Sequence, residues 1–125
     1  MLRVGEVITF ERQFTKRDVE RFTEISQDEG KHHISEDNQG RLVVQGLLTA
    51  TLPTKIGGDH DVLASNMNFN FLRPVYTGDT ITCMVKIERY ERVKTNRMAI
   101  RATFTCDNQH SKTVLTGEFS GVVLE

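Results

Sequence analysis

Apolar and polar residues alternate over most of the second half of the chain. In the stretches 67–71, 81–87 and 98–106, apolar side chains occupy every other position. A period of two puts these side chains on one face of a strand, so each stretch is predicted to be a strand with one buried face. A last strand is predicted from Thr113 to Leu124, where Gly117 and Gly121 indicate bulges or close packing against another backbone.

The first half of the chain carries helical signals after a short predicted strand from Val4 to Phe10. A helix is predicted from Lys16 to Ser26 because Thr15 and Asp18 have the spacing of a capping box, in which each side chain accepts a hydrogen bond from the other residue's backbone amide. An apolar stripe with a spacing of three runs along this helix: Val19, Phe22 and Ile25.

A second helix is predicted from Leu47 to Ile56, which is apolar or small on nearly every side. A helix without a polar face belongs inside a fold or under a sheet. Pro53 removes one backbone hydrogen bond and crowds the Thr49 carbonyl, so a kink or an early end is expected there. Gly57 and Gly58 are expected to close the helix.

The segment between the two helices, Gln27 to Arg41, is polar and has no clear period, so it is predicted to be a loop. A loop of this length in a small domain is usually functional or disordered. The complete order is one strand, two helices and a long antiparallel meander that curls around the second helix. This order predicts an α+β fold in one domain that spans residues 1–125.

Composition excludes several classes of function. Lysine and arginine number 16 against 17 aspartates and glutamates, so we expect no nucleic-acid or membrane partner. No apolar run is long enough to span a bilayer, and residues 1–6 lack the apolar core of a secretory signal peptide, so the expected location is the cytoplasm. Cys83 and Cys106 fall on the apolar faces of predicted strands and are interpreted as small buried residues.

Three segments carry a resemblance to a known family. Residues 26–33 read Ser-Gln-Asp-Glu-Gly-Lys-His-His, residues 45–48 read Gln-Gly-Leu-Leu, and residues 71–79 read Phe-Leu-Arg-Pro-Val-Tyr-Thr-Gly-Asp. They resemble the motifs Ser-Gly-Asp-x-Asn-Pro-x-His, His-Gly-Met/Leu-Leu and Phe-x-x-Pro-Val-x-x-Gly-Asp of the MaoC-like (R)-specific enoyl-CoA hydratases. The chain departs from the family where Gly30-Lys31 replaces Asn-Pro and where Gln45 replaces histidine.

The resemblance implies a hotdog fold, in which an antiparallel sheet wraps around a central helix, and an acyl-thioester site. Asp28 and His33 would be the acid–base pair, and the Gly46 amide would hold the thioester oxygen. The substrate would be an acyl-CoA or an acyl carrier protein thioester, and the reaction would need no cofactor. The family also pairs two sheets across a homodimer, so a homodimer with the site near the interface is expected.

Further residues are expected around the substrate by the same resemblance. His32, Gln45 and Thr54 are predicted to bind it, with Thr54 at the place where related hydratases have a serine. The replaced Asn-Pro pair leaves open which of His32 and His33 points inward. No metal is expected, because two candidate ligand sets lack a spacing that would fix them on one face: Asp28, His32, His33 and Glu36, and Asp59, His60 and Asp61.

Two other functions remain open at this point. A hotdog thioesterase needs a carboxylate that activates water against the thioester carbonyl, and Asp28 or Glu29 would supply it. A non-catalytic acyl-binding subunit is the second alternative, because the Asn-Pro pair is missing from residues 30–31.

Overall fold

The computed structural model describes residues 2–124, so Met1 and Glu125, the ends of the predicted domain, lie outside the described residues. Four helices lie between the first and the second strand, and strands contain more of residues 2–124 than helices do. The elements are β1 (Val7–Gln13), α1 (Lys16–Ser26), α2 (Lys31–Ile34), α3 (Gly46–Thr49), α4 (Thr51–Asp59), β2 (Val62–Phe71), β3 (Thr80–Lys94), β4 (Arg97–Asp107) and β5 (Thr113–Leu124).

The strands form a five-stranded antiparallel sheet in the order β1-β3-β4-β5-β2. α4 packs against this sheet through Leu52 and Ile56, both of which are buried. The α+β arrangement with a buried second helix is therefore confirmed. The predicted inward residues of β3 and β4 are buried as expected: Ile81, Cys83, Val85, Ile87, Met98, Ile100, Ala102, Phe104 and Cys106.

The two cysteines face one another across β3 and β4 in the core of the sheet. The hydrogen bond between the thiols and the burial of the site raise the pKa of the Cys106 thiol. Both residues are fully buried, which agrees with their interpretation as small core residues.

α1 begins and ends at the predicted residues, and its capping box is formed. The Asp18 amide donates to Thr15 Oγ1 over 3.1 Å, and the Thr15 amide donates to Asp18 Oδ2 over 2.9 Å. This backbone hydrogen bond from Thr15 is the main reason why the pKa of Asp18 is lowered. Ile25, in contrast, is 80% exposed. A helix turns by roughly 100° per residue, so a spacing of three drifts off the buried face within six residues.

Three boundaries differ from the prediction. β1 begins three residues later than Val4, because Gly5 adopts a φ of +90° and the Glu6 amide closes a turn onto the Arg3 carbonyl. The predicted loop from Gln27 to Arg41 contains the short helix α2. The residues that carry the candidate chemistry are therefore partly helical.

The third difference concerns the second predicted helix, which breaks at Ala50 rather than at Pro53. Pro53 becomes the third residue of α4, within the first turn, where a missing amide hydrogen is tolerated. α4 then continues through Gly57 and Gly58 to Asp59, so the expectation that the glycines close it was wrong.

β5 passes close to the backbone of β2 at both of its glycines. A Cβ atom added to Gly117 would lie 1.9 Å from the Asn68 carbonyl oxygen, and one added to Gly121 would lie 2.1 Å from the Leu63 carbonyl oxygen. The predicted close packing is confirmed, and it holds β2 at the edge of the sheet.

Candidate active site

A cleft of about 310 Å³ opens between α2, α3 and the connection from β2 to β3. Both polar or charged residues and apolar residues line it. The lining includes His32, His33, Gly46, Thr49, Phe71 and Arg73. Two of the three residues predicted to be catalytic, His33 and Gly46, thus line one cleft.

His33 lies on α2 and is only 8% exposed. Its Nδ1 lies 2.6 Å from the Val43 carbonyl oxygen, and the Val43 amide donates to the His32 carbonyl over 3.0 Å. A carbonyl oxygen only accepts hydrogen bonds, so Nδ1 carries the proton in this contact. The ring is therefore fixed in orientation, and Nε2 is left available for proton transfer.

Asp28 lies beside this free nitrogen. Its Oδ2 is 3.6 Å from His33 Nε2, and its side chain is 51% exposed. The Gly30 amide donates to Asp28 Oδ1 over 3.1 Å, and the Asp28 amide donates to Ser26 Oγ over 3.0 Å. The short turn from Ser26 to Gly30 therefore orients the carboxylate toward the imidazole.

The distance between the Asp28 carboxylate and the His33 imidazole determines whether they can be linked directly or through a water molecule. A distance of 3.6 Å is longer than a nitrogen–oxygen hydrogen bond, which is about 2.7–3.2 Å. One water molecule placed at hydrogen-bond distance from both atoms would bridge Asp28 and His33. The arrangement is suited to moving protons to and from one such molecule.

His32 is exposed, and it also lines the cleft. Its ring centroid lies 3.9 Å from that of His33, with a tilt of 59° between the planes. The two histidines do not point to opposite sides, as they would in an extended segment, because α2 is helical. Of the two rings, the one beside Asp28 belongs to His33.

Gly46 is the first residue of α3, and no oxygen in residues 2–124 accepts a hydrogen bond from its amide. The first amides of a helix have no partner within the helix. The Phe71 ring covers this residue closely, and a Cβ atom added to Gly46 would lie 2.9 Å from Phe71 Cε1. Only glycine fits under this ring without a shift of its neighbour.

Gln45 does not line this cleft, although it precedes Gly46. Its side chain is 1% exposed, and its Nε2 donates to Thr23 Oγ1 over 2.9 Å and to the Val19 carbonyl over 3.2 Å. Its Oε1 is buried without a hydrogen-bond partner. The side chain joins the start of α3 to α1.

Thr54 lies in a different pocket of about 220 Å³ between α4 and β2, where its neighbours include Pro53, Met67 and Phe119. Its hydroxyl donates to the Thr51 carbonyl over 2.9 Å. Among the residues predicted to bind substrate, His32 is therefore the one that lines the cleft with His33.

Several cleft residues were not predicted from the sequence, among them Thr49, Phe71 and Arg73. A signal existed for Thr49, because residues three apart on a helix share a face and Thr49 follows Gly46 by three. Within residues 2–124, Arg73 is the one lysine or arginine that lines the cleft, and its Nη1 donates to the Thr113 carbonyl over 2.6 Å.

Two further observations concern the described residues as a whole. None of the helices formed by residues 2–124 has both the length and the apolar character needed to cross a membrane. Within the same range, histidine, cysteine, aspartate and glutamate side chains form no group of three or more that could hold a metal ion.

Comparison with known proteins places these features in a family. A sequence model of the thioesterase superfamily matches residues 46–111, slightly more than half of the chain. The 3-hydroxybutyryl-CoA dehydratase of Methylorubrum extorquens is 32% identical over 127 residues, which cover 94% of this chain and 78% of that protein. The mitochondrial 3-hydroxyacyl-[acyl-carrier-protein] dehydratase of Arabidopsis thaliana is 24% identical over 131 residues, which cover 98% and 78%.

The fold has a counterpart among solved structures. An (R)-hydratase from A. caviae involved in PHA biosynthesis superposes with a TM-score of 0.85 at 23% identity, over 99% of this chain and 98% of that chain. The expected hotdog architecture is thereby confirmed, with the sheet packed against a central helix. The chain belongs to the hotdog proteins of the thioesterase superfamily and, within them, to the MaoC-like hydratase and dehydratase family.

Proposed function

We propose that this protein is a lyase that adds water to a 2-enoyl thioester and forms the (3R)-3-hydroxyacyl thioester, and that it catalyses the reverse dehydration. The observation that carries the proposal is the approach of Asp28 Oδ2 to within 3.6 Å of His33 Nε2 beside a cleft that Gly46 lines. Relatives named as dehydratases match 98% and 94% of the chain.

The pair accounts for both proton transfers of hydration. Water is bound between Asp28 and His33, and the pair removes one of its protons while the oxygen bonds to the β-carbon of the substrate. The pair returns a proton to the α-carbon, so that it ends in its starting state. The Val43 carbonyl holds the imidazole in one orientation during these steps.

The Gly46 amide binds the thioester oxygen. Negative charge develops on this oxygen when the nucleophile adds to the β-carbon, and a fixed amide donor stabilises that charge. Donors of this kind are worth about 2.7–4 kcal/mol of transition-state stabilisation. The absence of a side chain at Gly46 leaves room for the Phe71 ring, which packs over this residue and lines the same cleft.

The substrate class is an acyl thioester, and both carriers remain within the proposal. One relative is named for a CoA substrate and the other for an acyl carrier protein. Neither carrier requires a cofactor for hydration, because water and the substrate supply every atom of the product.

A thioesterase is the second candidate, and one observation favours it. The sequence model that matches this chain carries the description of the thioesterase superfamily, and its match begins at Gly46, after Asp28 and His33. A carboxylate alone would then activate water against the carbonyl carbon, and free CoA would be released.

The assay that separates these functions uses 2-enoyl-CoA thioesters of several chain lengths and the matching saturated acyl-CoA. Hydration is expected, with loss of the conjugated enoyl absorbance and an R configuration at the new hydroxyl, and without release of thiol. The Asp28→Asn variant is expected to lose hydration, and Asp61→Asn is its matched control, because Asp61 is an exposed aspartate in the turn between α4 and β2. Thiol release from the saturated thioester would select the thioesterase, and binding without turnover would select a non-catalytic acyl-binding protein.

A homodimer is part of the same proposal. β2 is an edge strand, and three of its large apolar side chains are exposed: Leu63, Met67 and Phe71. Open edges of this kind recruit another strand unless they are protected. Phe71 also lines the cleft, so a second copy paired to β2 would lie beside the site.

Sedimentation equilibrium is expected to give twice the mass of one chain for the unmodified protein. Met67→Lys, which places a charge on the β2 edge, is expected to shift the protein toward one chain. Met84→Lys is the control, because Met84 is an exposed methionine of β3 in the interior of the sheet. The mass of one chain at every concentration, or equal masses for both variants, would contradict the pairing through β2.

A further inference from the structure

Thr49 is a buried residue whose hydroxyl, unlike those of the other helical threonines, has no hydrogen-bond partner among residues 2–124. It lies on α3, is 3% exposed and lines the same cleft as His33 and Gly46. No group in residues 2–124 forms a hydrogen bond with its Oγ1. Thr49 Oγ1 is not among the fully buried side-chain atoms of residues 2–124 that lack a partner, so this oxygen keeps some accessible surface.

Threonine hydroxyls in helices commonly donate to a carbonyl three or four residues earlier. Thr23 donates to the Val19 carbonyl, Thr51 to the Leu48 carbonyl and Thr54 to the Thr51 carbonyl. The Thr49 backbone amide donates to the Gln45 carbonyl four residues earlier over 3.0 Å, but the Thr49 hydroxyl forms no hydrogen bond with that carbonyl. Its hydroxyl is therefore free to bond with a molecule in the cleft.

The position of Thr49 on α3 indicates which molecule that is. Residues three apart on a helix share a face, and a helical side chain leans toward the turn that precedes it. The Thr49 side chain thus lies over the turn that Gly46 begins. Gly46, whose amide has no acceptor among the described residues, and Thr49, whose hydroxyl has none, both line the cleft and are one helical turn apart.

We infer that the Thr49 hydroxyl donates a second hydrogen bond to the thioester carbonyl oxygen held by the Gly46 amide. The inference rests on the proposed function. Thr49 forms no covalent bond and transfers no proton. It donates more strongly as negative charge develops on the oxygen, so it lowers the barrier to addition more than it tightens binding of the ground state.

The test compares Thr49→Val, which keeps the shape and removes the hydroxyl, with Thr49→Ser, which keeps the hydroxyl. Thr49→Val is expected to lower kcat for hydration by about 10²-fold with little change in KM, as loss of one oxyanion donor does. Thr49→Ser is expected to retain activity to within about threefold. Thr51→Val is the matched control, because its hydroxyl already donates to the backbone outside the cleft.

Difference infrared spectroscopy of a bound 2-enoyl thioester labelled with ¹³C at the carbonyl reports the hydrogen bond itself. The carbonyl stretch is expected at a lower frequency in the unmodified protein and in Thr49→Ser than in Thr49→Val. An unchanged stretch in Thr49→Val would overturn the inference, even if kcat falls, because the hydroxyl would then act elsewhere, for example on the attacking water.

The possible outcomes distinguish a failure of the inference about Thr49 from a failure of the proposed function. Hydration by the unmodified protein together with an unchanged rate in Thr49→Val would defeat the inference alone. Absence of hydration in the unmodified protein would defeat the proposed function, and the infrared comparison would still decide whether Thr49 contacts the thioester oxygen. Thermal melting of each variant establishes that it is folded, and Thr49→Ala replaces Thr49→Val if the valine variant does not fold.

Discussion

Replacing His33 with asparagine is expected to slow hydration of a 2-enoyl-CoA by about 10²–10⁴-fold, the usual contribution of a positioned acid–base group. The asparagine amide nitrogen takes the place of Nδ1 and keeps a donor for the Val43 carbonyl, which lies 2.6 Å from that nitrogen in the native protein. The substitution therefore removes Nε2, the atom beside Asp28, and preserves the local hydrogen bond. Stopped-flow or steady-state kinetics at saturating substrate measures the effect on kcat.

His110→Asn is the matched control for this change. His110 is exposed and lies in the turn between β4 and β5, outside the residues that line the cleft. It is expected to leave kcat unchanged, and thermal melting is expected to show that both variants fold. A His33→Asn variant that hydrates as fast as the control would remove the imidazole from the mechanism.

Replacing Gly117 with alanine is expected to lower the free energy of unfolding by about 3 kcal/mol or more, at the upper end of the cost of overpacking. The new Cβ atom would lie 1.9 Å from the Asn68 carbonyl oxygen and 2.7 Å from Phe104 Cζ. The carbonyl belongs to the backbone of β2, so it cannot move without separating β2 from β5. Urea titration followed by circular dichroism measures the loss.

Gly58→Ala is the control, because Gly58 is a glycine with room for a side chain. Nothing lies within 4 Å of a Cβ atom at Gly58, which belongs to α4. Alanine is expected to stabilise the protein there by about 0.5–1 kcal/mol, because glycine is a poor helix former. Equal stabilities for Gly117→Ala and Gly58→Ala would contradict the close approach of β2 and β5.

Much of the architecture was predictable because its signals are local. The capping box of Thr15 and Asp18 fixed both the existence and the start of α1. Alternation at positions 81–87 and 98–106 identified the buried faces of β3 and β4. Gly117 and Gly121 indicated a close backbone even though the partner strand could not be named from the sequence.

Other features depend on contacts between distant parts of the chain. The orientation of His33 comes from the Val43 carbonyl ten residues later, which no local pattern contains. Gln45 occupies the place of a site histidine in the family motif, and its amide turns toward α1 because Thr23 and the Val19 carbonyl offer partners there. The spacing of Thr49 from Gly46 indicates a shared helical face, but only the folded structure shows that its hydroxyl, unlike those of Thr51 and Thr54, has no backbone partner in the part of the chain that the structure describes.

The spacing of the motif nevertheless identified two residues whose side chains lie close together in the structure. Asp28 and His33 were selected by their separation in sequence, and their side chains lie 3.6 Å apart. The departure of Gly30-Lys31 from the family motif does not separate them, since the Gly30 amide itself donates to Asp28. α2 then carries the imidazole back to the carboxylate.

A double-mutant cycle in hydration tests whether Asp28 and His33 act as one unit on a single water molecule. The variants are Asp28→Asn, His33→Asn and the combination of both. If the residues act together, the double variant is expected to react within about threefold of the slower single variant, because either change alone disables the unit. Losses that multiply, so that the double variant is slower by the product of the two single effects, would contradict the claim.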